Sequence, residues 1–277
     1  MSSAIITPER TTPVPSTPAP ETRPHRIAAV AWRILRPSVV VLLFLAVWET
    51  APRLGLVDKV FLPPLSEVII VFGKLATNGQ LGEHVSASLS RALTGLAIAV
   101  VVAIPVGVAI GWYRPVADFL NPILELFRNT AALALLPVFV LILGIGETSK
   151  VALVIYASSF PILLNTISGV RTVDPLLIKS ARSLGLPPVR LFQKVVLPAA
   201  VPTIFTGLRM AAASSILVLI AAEMVGAKAG LGYLITAAQL NFQIPDMYAG
   251  IVAIALVGVV FNGILVAIEN RLSGWRP

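Results

Sequence analysis

Six apolar runs, each long enough to thread a bilayer, decide what this chain can fold into. A helix needs about 20 mainly apolar residues to cross the hydrocarbon core. Such runs occupy 36–53, 89–112, 119–143, 150–170, 202–224 and 247–268. Charged residues make up only 12% of the chain and mean hydropathy is +0.90, against about 25% charged in soluble domains. The expectation is an all-α, polytopic membrane protein with about six transmembrane helices. Pro105, Pro137 and Pro161 fall inside runs. Prolines there kink a helix, and neighbouring helices satisfy the freed carbonyls.

The net charge of +8 would suggest nucleic acid in a soluble protein. Here the basic residues track the loops. With the N-terminus inside, the inner segments hold thirteen Lys/Arg, and the outer segments hold six: Arg53, Lys59, Lys74, Arg91, Lys150 and Lys228. Cytoplasmic loops carry the excess of Lys and Arg, so both termini are expected in the cytoplasm. Residues 1–26 are rich in Pro and Thr and are expected to be a disordered cytoplasmic tail; residues 27–277 form the membrane domain. Between the first two runs, apolar residues at 65, 68, 69, 72 and 75 line one helical face, which suits a helix lying on the membrane surface. The chain has no cysteine and two histidines, His25 and His84, both outside the runs. Neither a Cys-based metal site nor thiolate chemistry is available, and no metal site is expected.

The segment 171–198 is set apart from the runs that flank it. Asp174-Pro175 reads as a helix start, with the Asp carboxylate capping free amides and Pro in the first turn. Gly185 fits the left-handed closing position after Leu184, and Leu186-Pro187-Pro188 breaks the chain. A second short helix, about 189–196, follows. Ala181 and Gly185 are four apart and share a face. The pattern is either a docking element or a solvated loop with ordinary helix punctuation.

This segment resembles the cytoplasmic loop of bacterial ABC importer permeases, whose pattern is Glu-Ala-Ala, three residues, Gly, nine residues, Ile, one residue, Leu-Pro. Lys179-Ser180-Ala181, Gly185, Val195 and Leu197-Pro198 match that spacing, with Lys in place of the acid and Ser in place of the first Ala. The stretches at 62–69, 88–100, 144–166 and 207–235 are similar to permeases for nitrate, taurine, aliphatic sulfonates or bicarbonate, and thiamine-precursor importers share much of the pattern. The resemblance implies a type I importer permease fold in a bacterial inner membrane. It implies a homodimer of permeases with two cytoplasmic ATPase subunits, and a periplasmic or lipid-anchored binding protein that delivers substrate. It also implies a coupling helix that carries Asp174, Lys179, Ser180, Ala181, Arg182, Gly185 and Leu186 into the ATPase. The chain has no GxxxxGK[ST] phosphate loop, so it is expected to bind no cofactor and to catalyse nothing, with ATP and Mg used by the partner.

Polar residues within the runs are candidates for a translocation path, because charge in lipid marks function or tight pairing. They are Arg128, Asn129, Ser158, Ser159, Arg209 and Ser214. Guanidinium suits planar oxyanions, although each residue could equally anchor helix packing. Glu125 sits three residues before Arg128, a spacing suited to a local pair. The sequence disfavours two other functions. An intramembrane protease would need His or paired Asp within the runs, and neither is there. An ion-coupled carrier often shows two matching halves, and no such repeat is visible.

Overall fold

The computed structural model describes residues 25–273, with side chains from 39 to 271. The expected tail falls outside them, except for its last two residues, which open α1 (His25–Arg53). The chain divides into two compact units, Met1–Trp48 and Glu49–Pro277. In the first unit α1 runs through most of the first apolar stretch, with the Phe44 and Trp48 rings edge-on at 6.2 Å.

The regular elements of the second unit's described residues are all helices. They include α2 (Leu65–Thr77), α3 (Gln80–Trp112), α4 (Arg114–Arg128), α5 (Leu136–Leu143), α6 (Glu147–Arg171), α7 (Pro175–Ser183), α8 (Pro188–Leu191), α9 (Leu197–Glu223), α10 (Leu231–Leu240) and α11 (Ile244–Ser273). A π-helical turn, Phe192–Val196, joins α8 to α9, so that Pro188–Glu223 is one continuous helix. Among the described residues that helix, α3, α6 and α11 are long and apolar enough to cross a membrane.

The third apolar run, expected as one span, is broken. From Ala132 to Leu143 the chain is bent by 85° from α4, and the two pieces make a fifth crossing only if counted together. The break has a local cause. Asn129 Nδ2 donates to the Glu125 carbonyl at 2.8 Å and Thr130 Oγ1 to the Leu126 carbonyl at 3.1 Å. These side chains satisfy carbonyls that would otherwise demand a further helical turn. Pro137 then sits in the first turn of α5, where its missing N–H does no harm.

In lipid there is little hydrophobic drive between helices, so association depends on close packing. α3 supplies it with a small residue at every fourth position: Gly95, Ala99, Ala103, Gly107 and Gly111. A Cβ added at Gly95, Gly107 or Gly111 would lie 2.5, 2.8 and 2.8 Å from side-chain atoms of Val154, Thr166 and Val170. The partner residue advances in step with the glycine, so α3 and α6 run parallel. On the other side of α6, Gly169 faces Ala200 and Gly207 faces Asn165. There the partner recedes, so α9 is antiparallel. α3, α6 and α9 enclose a core of Leu96, Ile110, Ile162, Leu163, Ala211 and Ala212, which Phe261 of α11 completes.

This topology gives the bundle two distinct ends. α6 finishes, and α9 begins, at the end that carries α7 and α8. α3 begins, and α9 finishes, at the other, where α10 lies. The amphipathic α2 is present as expected; it packs on α11 and α3, and Val68 and Leu75 are its buried residues.

Gly107→Ile tests the seam. The added side chain must displace Thr166 or part α3 from α6, and overpacking of that kind costs about 1–3 kcal/mol. Unfolding of the detergent-solubilised protein should shift down by several degrees. Gly82→Ala, where nothing lies within 4 Å, should shift it little.

Candidate functional site

At the first end, the loop folds as its sequence suggests. Asp174 Oδ1 accepts from the Leu176 N–H at 2.8 Å and caps α7. Gly185 has φ +74°. The Gly185 N–H donates to the Arg182 carbonyl at 2.9 Å and the Leu186 N–H to the Ala181 carbonyl at 3.2 Å. That pair of bonds is a Schellman closure, and the left-handed residue within it is best a glycine. Ala181 differs from the expectation. It is only 7% exposed, because it faces the chain itself, whereas the space beside Gly185 is open. The two residues therefore do not form one outward face. The outward apolar surface is made by Leu176, Leu177, Leu184 and Val189, among the exposed Lys179, Ser180, Arg182 and Arg190.

The candidate path residues do not converge within the described chain. Arg128 and Asn129 are exposed at the end of α4, and no Glu125–Arg128 ion pair forms. Arg209 is paired with Glu269 of α11. Ser159 Oγ donates to the Ile155 carbonyl at 2.7 Å, and Ser214 is half-buried. Ser158 is wholly buried, and its hydroxyl has no hydrogen-bond partner among the described residues.

The other end holds a cluster that the sequence reading missed. Glu223, at the last turn of α9, is 1% exposed, and Arg91 of α3 is 7% exposed. Arg91 Nη1 donates to Glu223 Oε1 at 2.6 Å and to the Ala229 carbonyl at 2.7 Å. The rest of its fork, Nε and Nη2, grips both oxygens of Glu147 at the start of α6. Such fork-to-carboxylate pairing is specific to Arg. Ser88 Oγ lies 2.8 and 2.7 Å from the two Glu223 oxygens. Lys150, 2% exposed, reaches the Gly146 and Gly226 carbonyls at 2.9 and 3.5 Å. Two cations and two carboxylates thus balance where α3, α6 and α9 meet. The expectation had placed Arg91 and Lys150 among outer-loop charges. The legible signal was opposite charges at matching ends of neighbouring runs, with Ser88, Arg91 and Gly95 on one helical face.

The cluster also closes α10. That helix begins at Gly230, which has no side chain to cap it. Instead, three successive backbone N–H groups find partners from two other helices. Gly230 N donates to His84 Nδ1 at 3.2 Å, Leu231 N to Ser88 Oγ at 2.8 Å, and Gly232 N to Glu223 Oε2 at 3.0 Å. The fit excludes other residues here. A Cβ on Gly230 would lie 2.4 Å from the Glu223 carboxyl carbon, and one on Gly232 would lie 2.3 Å from the Ile220 carbonyl oxygen.

The described residues thus form a bundle of spans with a capped helical loop at one end and a half-length helix locked at the other. Residues 99–274 match the family described as binding-protein-dependent transport system inner membrane component, and the chain belongs to it. It is 36% identical over 237 residues to the taurine transport system permease protein TauC of Escherichia coli K12, covering 84% of this chain and 86% of that one. It is 32% identical over 243 residues to the putative aliphatic sulfonates transport permease protein SsuC of Bacillus subtilis 168, covering 88% and 87%. The fold matches a chain of the inward-facing MetNI methionine ABC transporter with TM-score 0.62 at 19% identity, covering 71% of this chain and 98% of that one. The chain is an ABC transporter permease with the type I importer fold.

Removing one member of a buried ion pair strands the other, at about 3–5 kcal/mol. Arg91→Met should therefore destabilise the solubilised protein by that order. The double variant Arg91→Met/Glu223→Met should lose less than the sum of the two singles, because it leaves no unpaired charge between them. A double-mutant cycle on unfolding midpoints measures the coupling.

Proposed function

We propose that the chain is the membrane subunit of an importer for a small oxyanion, of the class of taurine, aliphatic sulfonates, nitrate or bicarbonate. Two copies work with two ATPase subunits and an external binding protein, and the ATPase partner uses the ATP and Mg. The carrying observation is the kinship with TauC and SsuC over more than four-fifths of the chain. In this reading both termini and the α7–α8 end face the cytoplasm, as the basic residues Arg171, Lys179, Arg182, Arg190 and Lys194 favour.

α7 and α8 are the coupling element. Exposed leucines on a helix that lies off the spanning bundle suit burial against a partner. Leu176, Leu177, Leu184 and Val189 supply the apolar contact, with the basic side chains beside them. Asp174, Gly185 and Leu186 fix the shape of the loop, while Ala181 seats it on its own chain. Arg128, Asn129, Ser158, Ser159, Arg209 and Ser214 remain the residues proposed for the path. Of the two arginines, Arg209 already has a carboxylate partner, so Arg128 is the better candidate for an anion.

Uptake assays in membranes containing its partner ATPase and binding protein test the cargo. Saturable, ATP-dependent uptake of taurine or an alkanesulfonate, nitrate or bicarbonate is expected. Uptake restricted to a neutral or cationic nutrient would overturn the oxyanion class.

The coupling role and orientation have their own tests. Gly185→Val places a β-branched residue at positive φ, so uptake and stimulated ATP hydrolysis should fall together, by at least tenfold, at normal membrane abundance. The chain has no cysteine, so Ser183→Cys gives a clean topology probe. An impermeant thiol reagent should label it in inside-out vesicles and leave it unlabelled in intact cells.

A further inference from the structure

The polar cluster does more than join three helices. α10 has ten residues, about 15 Å of helix, or half the hydrocarbon core of about 30 Å. It follows α9 and precedes α11 at the same end of the bundle, so it enters and leaves on one side. Half of it is buried: Leu231, Gly232, Leu234, Ile235 and Ala238 pack against α11, α9 and α3. A half-length helix in that position has its N-terminal amides where no water can be counted on. The amides of the cap residue Gly230 and of Leu231 and Gly232 are met by His84, Ser88 and Glu223, and the last of these is itself held by Arg91.

We propose that Glu223 is a positioning residue that seats α10 as a plug sealing the outer end of the permeation path. The seal, as a property of a path, rests on the importer reading; the seating does not. The carboxylate acts through geometry, taking the amide that α10 offers and tying it to α3 through Arg91 and Ser88. Gly230 and Gly232 let α10 approach close enough for that contact. These three amides are occupied by the protein's own groups and are not free for an anionic cargo.

The test uses the absence of native cysteine. Leu234→Cys, buried in α10, and Val154→Cys, buried between α3 and α6, are placed singly in the full chain in native membranes and treated with an impermeant thiol reagent. With Glu223 intact both should react slowly. With Glu223→Ala, labelling at 234 should accelerate at least tenfold while labelling at 154 stays slow. Glu223→Gln, whose amide oxygen still accepts one N–H, should fall between. Unchanged labelling at 234 would show that Glu223 does not seat α10. Equal acceleration at both sites would show that it holds the whole bundle, which also overturns a positioning role. Sealing is read separately, in vesicles reconstituted with the full chain and loaded with taurine. Glu223→Ala should leak at least tenfold faster than wild type, without ATP. Vesicles as tight as wild type would overturn the plug while leaving the labelling result and the importer reading untouched.

Discussion

Close approach of α3, α6 and α9 is the constraint from which the rest of the structure follows. Lipid is as apolar as the side chains it would be exchanged for, so these helices gain little by merely hiding leucines from one another. They gain by contact. The small residues from Gly95 to Gly111 remove everything that would hold α3 off α6, and Gly169 and Gly207 do the same for α6 and α9. Once the backbones are that close, the register is fixed along their whole length. Arg91, one turn before Gly95, then has nowhere to lie except between Glu147 and Glu223. The buried charge cluster is in this sense a consequence of the glycine seam, and it returns the favour by locking the seam's register at one end.

The cluster also shows why buried charge can be tolerated at all. A lone guanidinium or carboxylate in this position would be very unfavourable. Here each charge is met several times over: Arg91 by two carboxylates and a carbonyl, Glu223 by Arg91, Ser88 and a backbone amide. A fully satisfied network of this kind specifies a geometry even where its net contribution to stability is small. What it specifies is the position of α10, a helix that is too short to span and that begins at a glycine.

Much of this was legible in the sequence, and the residues that were not share one property. Apolar runs and their lengths located α3, α6, α9 and α11, because lipid imposes a minimum length that no other context does. Asp174-Pro175 and Gly185 announced α7 and its closure, because caps are local chemistry read within four or five residues. The bend at Asn129 was hidden because its cause is the competition of the Asn129 and Thr130 side chains with the next helical turn, inside a run whose length alone suits a single span. Ala181 was assigned an outward face because helical spacing says which residues share a face but not which way that face turns. Arg91, Lys150 and Glu223 were missed for a related reason. Near the edge of an apolar run, a charge destined for a loop and a charge destined for a buried pair look the same, and the distinction lies in the partner, up to 132 residues away. The pairing of signs at matching ends of neighbouring runs was the available clue.

The two kinds of polar residue in the bundle differ in what they tie together. Within the spans, Ser159, Thr166, Thr206 and Ser215 bond to carbonyls three or four residues back in their own helices. Asn165 does the same, adding only a contact with Met210 Sδ at 3.8 Å. These bonds satisfy a hydroxyl or amide without reaching a neighbouring helix, so a small slide of one span past another breaks none of them. The groups at the α10 end bond across helices, and the same slide there would strip a carboxylate of its counter-ion in a place that water does not reach. Dispersion contacts in the middle are numerous and individually weak, and can be exchanged for similar ones. Ion pairs of this geometry cannot. The protein therefore concentrates its buried cross-helix ion pairs at the end occupied by Glu223, while elsewhere the helices are held by packing and by the more exposed Arg209–Glu269 and Tyr156–Phe127 contacts.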